Sequence, residues 1–107
     1  MIELLEAIGS STGYNPKPLE TDKVETCIVY RYHQTGRFNY HLELRVIGFS
    51  LMEVDSIVED ILEGINDFGD TAKVGNFASI ELNGGGVMKD NNTNTIQKVL
   101  YFDVVKK

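Results

Sequence analysis

Apolar residues recur along this chain with two spacings, and each change of spacing marks a change of element. Phe38, Tyr40, Leu42, Leu44 and Val46 alternate with Asn39, His41, Glu43 and Arg45, the period-two pattern of a strand with one buried face. Val24, Thr26, Ile28, Tyr30 and Tyr32 repeat it upstream. Gln34-Thr35-Gly36 between them predicts a three-residue hairpin turn with Gly36 in the left-handed conformation. Tyr30 then faces Tyr40, Ile28 faces Leu42 and Val24 faces Val46. The same register sets Glu25 opposite Arg45 and Glu43 opposite Cys27. A two-residue Thr35-Gly36 turn would instead slip Val29 and Arg31 in among the apolar residues of the second strand, so the longer loop is preferred.

Beyond this hairpin the spacing becomes helical. Ser50-Leu51-Met52-Glu53 reads as a capping box, in which each polar side chain satisfies a backbone donor at a helix start. Leu51, Val54, Ile57, Val58, Ile61, Leu62 and Ile65 then form one apolar stripe, with Glu53, Asp55, Glu59, Asp60 and Glu63 on the remaining surface. Burying that stripe against a sheet is worth about 10–20 kcal/mol before ordering entropy offsets most of it. A shorter helix is predicted over Met1 to Ile8, on Ile2, Leu5 and Ile8, ended by Gly9 and the Ser10-Ser11-Thr12-Gly13 stretch. Tyr14-Asn15-Pro16-Lys17-Pro18 reads as an extended loop.

A third strand is predicted near Phe77 to Leu82, followed by Gly84-Gly85-Gly86, Val87 and Met88. The polar turn Asp90 to Asn94 joins it to a last strand, Ile96 to Val105. In that strand Ile96, Leu100, Phe102 and Val104 share one face, and Val99, Tyr101 and Val105 share the other. The second face predicts either cover by loops or contact with another subunit, which makes Val99, Tyr101 and Val105 a candidate subunit interface. The expected architecture is a single α+β domain spanning 1–107, in the order α-β-β-α-β-β. It has a mainly antiparallel four-stranded sheet with both helices on one face.

Composition narrows the function classes. At 107 residues, 42% hydrophobic and 24% charged, the chain suits one globular domain. No apolar run approaches the roughly 20 residues that span a bilayer, and the acidic start Met1-Ile2-Glu3-Leu4-Leu5-Glu6 lacks the basic residues of a secretory signal, which predicts an intracellular origin. The formal charge of −6, with basic residues scattered from Lys17 to Lys107, opposes sequence-specific nucleic-acid binding. It suits a surface that lets DNA pass without gripping it. Cys27, the single cysteine, is expected to be a packed thiol.

The residues of common catalytic and metal sites are few. In the expected register His33 lies near the hairpin tip and His41 midway along the polar face, which predicts no metal pair and no dyad. Asp55, Glu59 and Glu63 line one helix side as a solvated face. Gly84-Gly85-Gly86 does not lead into a helix, so it reads as a β-bulge or a mobile hairpin arm and not as a phosphate cradle. Gly84, Gly85, Gly86, Asn91, Asn92 and Thr93 form a candidate flexible arm for partner contact. Neither metal nor cofactor is expected.

Taken together, the leading Met1-Ile-Glu-Leu-Leu helix, the strand Glu25-Thr-Cys-Ile-Val-Tyr-Arg-Tyr, the alternating Phe38-Asn-Tyr-His-Leu-Glu-Leu-Arg-Val-Ile-Gly-Phe, the helix from Leu51 to Ile65 and the closing Val99-Leu-Tyr-Phe-Asp-Val-Val resemble the phage tail-terminator family. These are the small tail-completion proteins of long-tailed phages related to the lambda tail terminator. The resemblance spans almost the whole chain. It implies a non-enzymatic virion subunit that forms a ring, commonly a hexamer, on the end of the tail tube. Such a ring stops tube polymerisation and offers the head-joining surface. Its partners would be the tail-tube and head-completion proteins, with DNA passing through the lumen and no membrane involved. Its location would be the tail or neck of the virion, and the host cytoplasm during assembly.

Three other readings stay open: a neck, head-completion or tail-tube subunit; a small enzyme or ligand-binding domain using Arg31, His41 and Glu43; and a regulatory or toxin-neutralising protein that binds a basic partner.

Overall fold

The computed structural model describes residues 1–18, 25–67, 71–72, 77–90 and 93–107. Its elements are α1 (Ile2–Thr12), β1 (Lys17–Pro18), β2 (Cys27–Gln34), β3 (Asn39–Gly48), α2 (Leu51–Ile65), β4 (Asn66–Asp67), β5 (Thr71–Ala72), β6 (Phe77–Asp90) and β7 (Thr95–Lys106). The main sheet is five-stranded in the order β1-β2-β3-β7-β6, and β4 pairs with β5 as a separate ribbon. The four long strands run antiparallel. The expected α+β order therefore holds for the long elements, and three short strands add to it. Lys17–Pro18, expected as loop, joins the sheet edge as β1, parallel to Val29 and Tyr30. Val24 and Asn91-Asn92 lie outside the described residues.

The face assignment of the first hairpin holds, while its register differs. Ile28 pairs with Val46, Tyr30 with Leu44 and Gln34 with Tyr40, so every partner lies four residues further along β3 than the three-residue turn requires. An even shift preserves the alternation and hence the buried face. The loop spans Thr35–Phe38. It closes through Thr35 N–H and Gly36 N–H, which both donate to Asn39 O at 2.9 and 3.3 Å. Gly36 is not among the residues with positive φ. Phe38, expected in the strand, is half exposed in this loop, with the Arg37 guanidinium 5.2 Å above its ring.

Both helices cover the face that carries Ile28, Leu42, Leu44, Val46, Leu100, Phe102 and Val104, and with Phe77 and Ile80 they close the core. From α2 come Val54, Ile57, Val58, Ile61 and Ile65; Leu51, expected in the stripe, is half exposed. The capping box forms as predicted at its first half, with Glu53 N–H donating to Ser50 Oγ at 3.2 Å. In return the Glu53 carboxylate accepts from Phe49 N–H at 3.1 Å and from Thr26 Oγ1 at 2.9 Å.

In α1 the buried residues are Leu4, Ile8 and Gly9, whereas Ile2 is exposed. This helix does not stop at Gly9. It runs to Thr12 and is capped by Gly13 in the left-handed conformation, φ 79°, whose N–H donates to Gly9 O at 2.9 Å. At Gly9 the helix passes close to Asn15, whose Oδ1 would lie 2.6 Å from a Cβ there. Ser11 and Thr12 return their hydroxyls to Ile8 O, at 3.2 and 2.8 Å, which lets polar residues prolong the helix.

Candidate functional site

The opposite face of the sheet has neither helix over it, and the odd-numbered residues of β2, β3 and β7 occupy it. Its centre is Glu43, buried at 5% exposure although it is a carboxylate. Arg31 Nη2 bonds Glu43 Oε1 at 2.9 Å and Arg45 Nε bonds Oε2 at 3.0 Å. A buried charge persists only when so paired. Arg45 stands in one cross-strand row with Val29 and Val99, both of which are buried, as expected where a long aliphatic stem lies across small apolar neighbours.

Towards the hairpin loop lies a second array. The four-residue shift in register brings His33 directly opposite His41, with ring centroids 5.4 Å apart. This corrects the expectation that the two histidines lie at separate heights on the hairpin. His41 stacks on Tyr101 at 5.7 Å. Its Nδ1 lies 3.4 Å from Asp103 Oδ1, and Asn83 Nδ2 donates to the other oxygen of that carboxylate at 2.7 Å. Arg31, His33, His41, Glu43 and Tyr101 line one open depression. The Arg31, His41 and Glu43 of the ligand-binding reading do converge there. Among the described residues, the lining carries no serine, threonine or cysteine to serve as a nucleophile. Among the described residues no three histidine, cysteine, aspartate or glutamate side chains gather to hold a metal ion.

The candidate interface residues share this face. Val99 is buried, while Tyr101 and Val105 are partly exposed. Cys27 also lies on it and faces Ile47, not Glu43. Burial pushes its thiol pKa up from 9.0, with the Glu25 charge adding to the rise and Lys17 opposing it. Lys17, hydrogen-bonded to Glu25 at 2.9 Å, is likewise held above its ordinary 10.5.

The candidate arm is the outer part of β6 and β7. Asn83 and Gly84 form a bulge opposite Tyr101, between the pairs Leu82–Phe102 and Gly85–Leu100, with Gly84 and Gly85 at φ 117° and 157°. A Cβ on Gly85 would run into the Val99 carbonyl oxygen, so the bulge demands glycine there. Gly86 continues the pairing, opposite Val99. Thr93 sits at the turn, sharing a hydrogen bond of 2.7 Å with Thr95 Oγ1. Leu82, Val87 and Met88 along the arm are exposed.

Charge is divided between the layers. Glu3 and Glu6 on α1 and Glu53, Asp55, Glu59, Asp60 and Glu63 on α2 meet no lysine or arginine within either helix. The helical layer thus carries seven of the 16 acidic residues and none of the 10 basic ones, more than the whole net −6 of the chain, and the remainder is close to neutral. This segregation is legible in the amino-acid sequence itself, since it needs only the helix boundaries. No helix among the described residues is long and apolar enough to cross a membrane.

No family model and no curated protein matches the chain. Among solved structures, the fold is similar to a chain in the virion of a native gene transfer agent particle, with a TM-score of 0.56 and 10% identity. The match covers 97% of this chain and 84% of that one. At that identity the similarity is one of fold.

Proposed function

We propose that this chain is a non-enzymatic structural subunit of a phage-type particle, forming a ring at the end of a tail tube. In this reading the ring, six subunits in the usual tail-terminator arrangement, ends tube growth and presents the surface that the head joins. The observation that carries the proposal is the fold shared over nearly the full chain with a component of a gene transfer agent virion. The resemblance to tail terminators in element order and spacing gives the finer role.

Ring closure needs a heterologous joint, in which one patch meets a different patch on the neighbour. The uncovered sheet face supplies one such patch around Tyr101 and Val105, with Val99 beneath. Tyrosine and arginine, both present there, are favoured at interface centres. The arm from Gly84 to Thr93 is the proposed contact for tail or head partners, and the acidic helical layer is a surface that DNA would not adhere to.

Light scattering across a concentration series, with electron microscopy of any large species and of tail tubes incubated with the protein, tests this reading. Closed rings, free or on tube ends, are expected from the native chain, and Tyr101→Glu should remain folded without forming them. A native chain that stays monomeric at every concentration and leaves tube ends bare would overturn the ring. A neck or tube subunit of the same kind of particle is the second reading favoured by the shared fold; it predicts rings or tubes that bind a different partner.

A further inference from the structure

We propose that His33 and His41 form a binding site for a borderline divalent transition-metal ion, such as Ni²⁺, Zn²⁺ or Cu²⁺, with Asp103 as its orienting carboxylate. Three observations carry this, and none depends on the ring. First, the two histidines are directly opposed on antiparallel strands, with ring centroids 5.4 Å apart and both rings open to the same depression. Directly opposed residues hold their Cβ atoms about 4.5–5.5 Å apart, and a metal with bonds of about 2.0–2.1 Å to each imidazole nitrogen bridges side chains so placed.

Second, the Asp103 carboxylate stands at His41 Nδ1, 3.4 Å away. An ionised carboxylate only accepts, so the contact favours the tautomer with its proton on Nδ1, which leaves the Nε2 lone pair for a metal. A carboxylate behind the far nitrogen is the usual companion of a metal-bound histidine. Asn83 in turn fixes Asp103 through its other oxygen at 2.7 Å, and Tyr101 stacks on the His41 ring, so the imidazole is held before any ion arrives. Third, the cation nearest the pair in the depression, Arg31, is bonded to Glu43 at 2.9 Å, which offsets its repulsion of a second cation.

Two imidazoles without a hard oxygen cage select nickel, zinc or copper over magnesium or calcium. No third protein ligand gathers among the described residues, so water completes the coordination shell, as it does in open sites.

The test is titration of the untagged full chain with Ni²⁺ and Zn²⁺ by calorimetry, with electron paramagnetic resonance of the Cu²⁺ form. One ion per chain is expected, with the Cu²⁺ spectrum showing two equatorial imidazole nitrogens. His33→Ala and His41→Ala, each checked for folding by circular dichroism, should abolish saturable binding, and Asp103→Asn should weaken it about 10–100-fold. Uptake by the native chain no tighter than that of the His33→Ala/His41→Ala double variant would overturn the site. Unchanged affinity in Asp103→Asn would overturn the orienting role.

Discussion

On β3, Leu42, Leu44 and Val46 are closed under the two helices, while their neighbours His41, Glu43 and Arg45 stand on the face that neither helix covers. Yet Glu43 is as buried as Ile57 and Val58 of the core, all three at 5% exposure. Burial on the covered face comes from a second layer of backbone and requires only apolar volume. On the uncovered face it comes from neighbouring side chains, and a carboxylate can hold the centre because two arginines reach it. The first kind of burial specifies a fold. The second keeps a polar surface ordered and ready to meet something else, which is the property an assembly subunit or a metal pair requires.

The contrast breaks most sharply when each face is truncated at its centre. Phe102→Ala, on the covered face and fully buried, should cost about 3–5 kcal/mol in urea unfolding, from lost transfer energy and the cavity left behind. Glu43→Gln should cost less, about 1–3 kcal/mol, because it leaves two arginines short of a charged acceptor while solvent still reaches Arg31, whose side chain is 62% exposed. Arg31→Ala should shift stability by under about 1 kcal/mol, since Arg45 still pairs with Glu43. A double-mutant cycle on Arg31 and Glu43 would measure the share of that pair directly.

The smallest effect appears only in alkali. Burial holds the Cys27 pKa above 9.0, so from that pH upward the unfolded chain releases a proton that the native state retains. The unfolded state then binds fewer protons, and stability falls as pH rises until the native thiol itself ionises. Lys17, also raised, adds a loss of the same sign above 10.5. Cys27→Ala should therefore flatten the decline beginning near pH 9, leaving the part due to Lys17. An equally steep decline in the variant would show that the thiol does not contribute.

Alternation along β3 is enough to tell which of its residues face the helices, because the side-chain period of a strand is two and the pattern there is strict, whereas β2 and β7 carry apolar residues on both faces. It is not enough to set the hairpin register, since every even shift satisfies the same pattern. What decides is loop closure by Thr35, Gly36 and Asn39, and no apolar residue reports that. The cost falls on the site: the opposition of His33 to His41 and of Arg31 to Glu43 exists only in the true register. The end of α1 is obscured for a related reason. Gly9 reads as a stop, yet the helix runs through it to the cap at Gly13, whose N–H bonds back to Gly9 O, and two glycines four residues apart do not show locally which of them ends the helix. The strand β1 is only two residues long and ends in proline, so it carries no period to detect.

The bulge at Asn83 and Gly84 has a consequence for how such a chain can change over generations. Before it, Ile80 and Leu82 point to the helical side; after it, the odd-numbered residues take that side, with Val87 beside Lys98 and Met88 on the other side beside Gln97. One codon lost at this spot would remove the extra residue and restore plain alternation, with Gly85 still opposite Leu100 and Val87 still opposite Lys98, so the arm would keep what it shows on each side. A lineage could thereby shed or regain one residue here in a single genetic event, with the faces of the arm and the hydrophobic centre both inherited intact.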